Sequence, residues 1–185
     1  IKSMFLSAKV LNLKKNFLFK EYTLNYSISQ FSKPYLSIWD GIVMGGGVGL
    51  SVYGSARIAS EKSRFAMPET GIGFFPDVGG SYFLSRIPSG IGLYLGLTGE
   101  VINAKEMIAF GLATHFQYSE NIETIKKNYI NNGSLPNSQN IKEESLAILN
   151  NLRFIEDTFQ GNFVSIIRTL KNSTLKFADN TYKNL

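Results

Sequence analysis

Met44-Gly45-Gly46-Gly47-Val48-Gly49-Leu50-Ser51 decides how the rest of the chain is read. Upstream lies a short apolar run, Tyr35-Leu36-Ser37-Ile38-Trp39, closed by the turn signal Asp40-Gly41, and downstream the residues are small and apolar enough to start a helix. The order is strand, tight loop, helix, with Tyr35 to Trp39 predicted as the strand and residues 46–56 as the helix. Three adjacent glycines let the backbone approach another group with no Cβ in the way. The first N–H groups of such a helix lack intrahelical acceptors and favour negative charge. Two readings are open on this stretch alone: a cradle for an oxyanion or phosphate, and a loop whose glycines only permit close packing.

Working outward towards the N-terminus, residues 1–31 read as helical and rich in aromatics, and Lys33-Pro34 ends that helix because proline removes a donor and disfavours helical geometry before it. Phe17, Leu24, Ile28 and Phe31 fall on one stripe at helical spacing, and Glu21 lies in the same stripe. A carboxylate there is either at a stripe edge, reaching water or Lys20, or faces a pocket.

In the other direction, Arg57-Ile58-Ala59 and Arg64-Phe65-Ala66 are predicted strands around the polar turn Ser60 to Ser63. Next comes Met67-Pro68-Glu69-Thr70-Gly71-Ile72-Gly73-Phe74-Phe75-Pro76-Asp77-Val78-Gly79-Gly80, dense in glycine, proline and aromatics yet carrying two carboxylates. A surface loop is more polar than this, so the stretch is expected to be irregular but buried backbone, as at a functional site. A carboxylate in an apolar pocket is poorly solvated, its pKa rises, and it becomes usable as a base or acid near neutral pH. Ser81 to Ile87 and Gly90 to Leu97 read as helices, Asn103 as the cap of another, and Gly111 to Phe116 as a return to strand. His115 is read as structural, since no second histidine and no cysteine accompany it. From Asn121 the composition shifts to Asn, Lys, Ser and Glu, with Asn131 to Asn140 as a linker and amphipathic helices beyond, one marked by Phe163, Ile166, Ile167 and Leu170. The chain divides into a core at 1–118 and a C-terminal helical region at 119–185.

With 185 residues, 44% hydrophobic and 18% charged, the composition suits one main core. The absence of cysteine removes disulfides and thiolate chemistry, and a single histidine argues against a histidine-based metal site. The net charge of +5 comes from lysines scattered among Asn, Ser and Glu rather than gathered with aromatics, which argues against nucleic acid. No apolar run is long enough for a membrane helix. The glycines do not satisfy G-x-G-x-x-G, because position six is Leu50 counted from Gly45 and Val52 counted from Gly47. No glycine loop runs into Lys-Ser or Lys-Thr, and no serine sits in G-x-S-x-G.

What remains is a glycine loop for an oxyanion together with carboxylates, and in this the sequence resembles the crotonase superfamily. The resemblance rests on Lys33-Pro34 with its strand, Met44 to Ser51, and Phe65 to Gly80, and runs strongly from about residue 20 to 117. It is closest to the 3-hydroxyisobutyryl-CoA hydrolase branch. It implies an α/β fold of the crotonase-like ββα superhelix, here a fragment without its N-terminal half, followed by C-terminal helices. It further implies that Glu69 and Asp77 are catalytic, and that Glu21, Gly46 and Gly45 bind substrate. The substrate would be an acyl-CoA thioester, with no separate cofactor because CoA is part of the substrate, no metal, and a mitochondrial location. A homo-oligomer is compatible with the family.

Hydratases of the superfamily use a second glutamate just after the glycine loop, where this chain has Gly49. Hydration by the usual pair is compromised, whereas thioester hydrolysis needs one base or nucleophile, a held water and an oxyanion hole. The resemblance implies that the thioester oxygen sits on Gly46 N–H and a second donor from the upstream half, that Glu69 attacks or activates water, and that Asp77 and Glu21 hold the 3-hydroxyl or the water. The rival readings are an ordinary enoyl-CoA hydratase or isomerase, and a non-catalytic relative in the mitochondrial ribosome. The three acids favour the enzyme.

Overall fold

A computed structural model describes residues 11–141 and 147–159. Its elements are α1 (Leu11–Ser29), β1 (Leu36–Trp39), β2 (Ile42–Met44), α2 (Gly46–Ser51), β3 (Ala56–Ala59), β4 (Arg64–Ala66), a 3-10 turn at Pro68–Ile72, α3 (Gly80–Leu84), α4 (Ile91–Thr98), β5 (Ile102–Asn103), α5 (Ala104–Ala109), β6 (His115–Phe116), a second 3-10 turn at Ser119–Asn121, α6 (Ile122–Asn132), α7 (Ala147–Asn150) and α8 (Leu152–Phe159). The stripe at Phe163 to Leu170 lies outside the described residues.

Two three-stranded sheets are present, in the orders β1-β3-β6 and β2-β4-β5. From β1 to β4 successive strands alternate between the two sheets, and β5 joins the same sheet as β4. The chain leaves β1, steps through Asp40-Gly41 into β2, turns into α2, and repeats the step from β3 through Ser60 to Ser63 into β4. Each repeat pairs parallel with the other, Ile38 beside Ile58 and Val43 beside Phe65. Only β5 runs antiparallel, against β4. The two steps are stitched together: Ser60 donates to Asp40 Oδ1 at 2.6 Å, Ser119 to Asp40 Oδ2 at 2.8 Å, and the Ser63 hydroxyl to the carbonyl of Trp39. The hydroxyls of Ser60 and then Ser119 hold the Asp40 carboxyl below the usual carboxylate range against the opposing effect of burial, with Lys62 and Lys126 adding to the lowering.

Between the sheets lies the main core, with Trp39, Val48, Phe65, Met67, Leu95, Ile102, Met107 and Phe116 all essentially inaccessible. Described residues beyond 118 pack back onto it. Ile148 and Ile155 join this core, while Ile122 and Ile125 of α6 form a small cluster with Ile58. The link from α5 to α7 passes through buried Glu106, whose carboxylate takes the N–H of Ile148 at 2.7 Å and closes a capping box with Asn103.

Helix α2 stops at Ser51, earlier than the sequence suggested, because side chains of Tyr35 and of β1 bond the polar groups of its last turn. Tyr35 hydroxyl donates to Leu50 O at 2.8 Å and Ser37 hydroxyl to Ser51 O at 2.7 Å, while the indole of Trp39 donates to Ser51 Oγ at 2.9 Å. A C-terminus held by the sheet on three bonds fixes where the N-terminus points. The short strand β2 escaped the sequence reading because three residues show no periodicity. Other limits shifted by a few residues: strand geometry at 111–116 is confined to His115–Phe116, and α3 ends at Leu84. His115 is half-buried with its Nδ1 2.8 Å from the Thr114 hydroxyl.

Helix α1 corrects one expectation. Phe17, Leu24 and Phe31 of the proposed stripe are 42%, 50% and 55% exposed, Ile28 is half-buried, and among the described side chains of α1 the buried one is Asn25. The contact between α1 and α2 is made at glycines, which receive polar side chains of α1 instead of its aromatics. The stretch Met67 to Gly80 is also only partly as expected: Met67, Glu69, Val78 and Gly80 are buried, but residues 71–75 are exposed.

Candidate active site

The glycine loop forms one wall of the site. Gly45 holds φ +52° and ψ −126°, a backbone that side-chain-bearing residues rarely adopt, and it turns the chain from β2 into α2. Its carbonyl takes the N–H groups of Val48 and Gly49, at 2.9 and 3.4 Å. Among the described residues the N–H of Gly46 has no hydrogen-bond acceptor.

Two carboxylates stand over these glycines. A Cβ placed on Gly46 would lie 2.8 Å from Glu21 Oε1, and one on Gly45 would lie 3.3 Å from Glu69 Oε1. The missing side chains therefore leave the acids room against the loop backbone. Glu21 is delivered by α1. Glu69 is delivered by the 3-10 turn that Pro68 starts directly after β4, and Gly73 at φ +72° closes that turn. Glu69 is 8% exposed, and its Oε2 has no hydrogen-bond partner.

Asp77 completes the group. The Tyr22 hydroxyl donates to Asp77 Oδ2 at 2.8 Å, so successive residues of α1 engage the glycine loop and the second acidic loop. Burial pushes the Glu69 carboxyl up, its own backbone N–H opposes this, and the charge of Asp77 adds to it. Burial and then Asp77 likewise raise Glu21. Tyr22 is driven well above the ordinary phenol value by burial and by its bond to Asp77. Both glutamates thus sense the same aspartate although up to 56 positions separate these acids in the chain. Among the described residues no group of three such side chains is arranged to hold a metal ion.

Gly49, the position where a hydratase glutamate is expected, has no room for a side chain. A Cβ there would come within 2.5 Å of Val78 Cβ and 2.8 Å of Asn25 Nδ2. Val78 is itself held at φ +45°, a strained backbone for a β-branched residue, and is buried. Beyond Asp77 opens a cavity of about 540 Å³ lined by Tyr22, Asn25, Tyr53, Asp77, Val78 and Tyr82 among others. Glu21 and Glu69 are not part of its wall, so Asp77 is the acid shared between the loop side and the cavity.

All five residues proposed from the sequence, Glu21, Gly45, Gly46, Glu69 and Asp77, meet in this region. Tyr22 and Asn25 were missed. A usable signal existed, since Asn25 lies four residues after Glu21 and so on the same helix face, and a polar residue repeated on a face that also carries an acid suggests a polar seam.

The enoyl-CoA hydratase/isomerase family profile matches residues 1–185. A protein of Xenopus laevis named 3-hydroxyisobutyryl-CoA hydrolase, mitochondrial, is 41% identical over 181 residues, covering 90% of this chain and 47% of that protein. The Arabidopsis thaliana protein named 3-hydroxyisobutyryl-CoA hydrolase 1 is 54% identical over 114 residues, covering 62% of this chain and 30% of its own length. Among solved structures, a carnitinyl-CoA dehydratase from Mycobacterium thermoresistibile superposes with a TM-score of 0.78 at 35% identity, covering 92% of this chain and 52% of that one. The chain thus spans between 30% and 52% of the length of these relatives.

Proposed function

Because the chain belongs to the enoyl-CoA hydratase/isomerase family, we propose that it contributes the acidic centre of an enzyme that hydrolyses the thioester of 3-hydroxyisobutyryl-CoA, or a related 3-hydroxyacyl-CoA, to the free acid and CoA, in valine catabolism in the mitochondrion. The observation that carries this reading is Glu69: buried, with one oxygen unpartnered, raised in pKa, and set beside a glycine loop whose Gly46 N–H is free. The names of the Xenopus and Arabidopsis relatives support the hydrolase branch.

In this mechanism the thioester carbonyl oxygen accepts from Gly46 N–H, which stabilises the charge that grows on it as the carbonyl carbon becomes tetrahedral. Glu69 either attacks that carbon or takes a proton from water that does, and in both routes the carbon–sulfur bond breaks, the sulfur leaves as the CoA thiol after gaining a proton, and water supplies the new carboxyl oxygen. Asp77, held by Tyr22, and Glu21 orient the acyl hydroxyl or the water. A hydratase reading has support in the dehydratase neighbour, but the packing of Val78 and Asn25 over Gly49 excludes a second glutamate there.

Glu69→Gln in the complete protein tests this. The amide keeps the shape but cannot accept a proton or act as an anionic nucleophile, so hydrolysis should fall about 100- to 10,000-fold while CoA-ester binding persists. Release of CoA can be followed with a thiol reagent without a background from this chain, which has no cysteine. Retention of more than about a tenth of wild-type turnover is incompatible with the role given to Glu69.

A further inference from the structure

Asn25 is 4% exposed, and both its amide nitrogen and its amide oxygen are shielded from solvent without a hydrogen-bond partner. Burying a whole amide unpaired is costly, and an apolar side chain of the same branched shape, such as leucine, would avoid that cost, so packing alone does not account for an asparagine here. Its surroundings point to another cause. One turn after Glu21 and three residues after Tyr22, it occupies the space over Gly49 that a hydratase glutamate would need, with its Nδ2 2.8 Å from where a Cβ on Gly49 would stand. It also lines the 540 Å³ cavity together with Asp77 and Tyr22.

We propose that Asn25 is a substrate-binding residue, whose amide takes an O–H group on the Asp77 side of that cavity. A hydroxyl carries one hydrogen and two lone pairs, so one such group can accept from the amide nitrogen of Asn25 and donate to the Asp77 carboxylate. The terminal amide torsion is broad, so a modest rotation brings the amide nitrogen towards the cavity. The O–H is that of the acyl chain or of bound water. The inference rests on the thioesterase reading above and adds to it a third polar contact, neutral where Glu21 and Asp77 are acids. A neutral amide at the Gly49 position binds the hydroxyl without adding a fourth carboxylate to a crowded site.

The test compares 3-hydroxyisobutyryl-CoA with isobutyryl-CoA, which lacks the hydroxyl, on the complete wild-type protein, Asn25→Leu and Asn25→Ala, with Tm measured for each. Asn25→Leu should keep or raise Tm while kcat/KM for the hydroxylated ester falls about 10- to 100-fold, the range expected when a buried hydrogen bond is lost and its partner stranded. If the occupant is the acyl hydroxyl, preference for the hydroxylated ester collapses and isobutyryl-CoA is hydrolysed as before. If it is water, both esters lose equally, in kcat more than in KM. Asn25→Ala, which adds no bulk, should show the same pattern and serves where Asn25→Leu does not fold. Variants that hydrolyse both esters like the wild type overturn the inference and leave the thioesterase reading intact. A wild-type protein that releases CoA from neither ester overturns both.

Discussion

Gly49→Ala is the perturbation with the most direct structural magnitude. The added Cβ meets Val78 Cβ at 2.5 Å, Asn25 Nδ2 at 2.8 Å and Val78 Cγ1 at 2.9 Å. A Cβ is fixed to its backbone, and Val78 cannot retreat because its strained φ of +45° and full burial already define its place. Overpacking of this kind costs about 1–3 kcal/mol, more than the ~1 kcal/mol that alanine gains over glycine inside a helix. Net of that gain the loss reaches about 2 kcal/mol, and for a chain of this size the corresponding fall in Tm is up to about 8 °C. The cause is separable by a double-mutant cycle with Val78→Gly. That background removes Val78 Cγ1 and Val78 Cβ and leaves, of the three nearest atoms, the Asn25 amide at the end of a side chain that can swing, so Gly49→Ala should become neutral or stabilising. The coupling between the two sites should be about 1–3 kcal/mol, read from thermal and urea unfolding followed by the fluorescence of Trp39, the chain's one tryptophan, buried in the core. Effects that add to within about 0.5 kcal/mol would show that Val78 does not seal the Gly49 position, and the argument that this site excludes a second acid would fail.

Glu69→Gln should also change stability with pH. The folded-state pKa of Glu69 is raised, so its ionisation opposes folding: the variant and the wild type should match below the ordinary glutamate value, and the variant should gain in Tm as pH climbs through that value to the raised one, then stay ahead. Equal melting curves from pH 3 to 8 would contradict the burial assigned to this carboxylate. For the same reason hydrolysis should rise with pH along an acid limb centred above the ordinary glutamate pKa, and a limb at or below that value would count against Glu69 as the ionising group. Tyr22→Phe removes the one hydrogen bond that the structure gives Asp77 from a side chain, and should lower kcat about 3- to 30-fold, shift the acid limb, and leave Tm nearly unchanged. An unaltered pH profile would reduce Tyr22 to a surface contact.

Much of the site was legible in the chain because it is built from local signals. Glycines in a row between a strand and a helix, and a proline-started turn carrying an acid, are readable without any partner, and Gly45, Gly46 and Glu69 were found this way. The alternating strands β1, β3 and β4 were legible too, since each carries its own apolar pattern. The stripe on α1 misled for the opposite reason: periodicity shows which residues share a face but not which face is covered. Here the covering surface is a pair of glycines that admits Glu21 and Asn25 and leaves Phe17 and Leu24 outside.

What the sequence by itself determined was the strand, loop and helix order, the identity of the acids, and the absence of a side chain at Gly49. Those follow from bonded geometry and short-range spacing. Only the tertiary structure decided that Glu21 and Glu69 stand over neighbouring glycines, that Tyr22 anchors Asp77, that Val78 and Asn25 close the space a second glutamate would need, and that Asn25 is buried without a partner. These are contacts between residues 21–25, 45–49 and 69–78, and no local pattern encodes them. They arise because the sheet fixes the C-terminus of α2, because α1 packs across it, and because each buried group must then accept the neighbours that the packing brings.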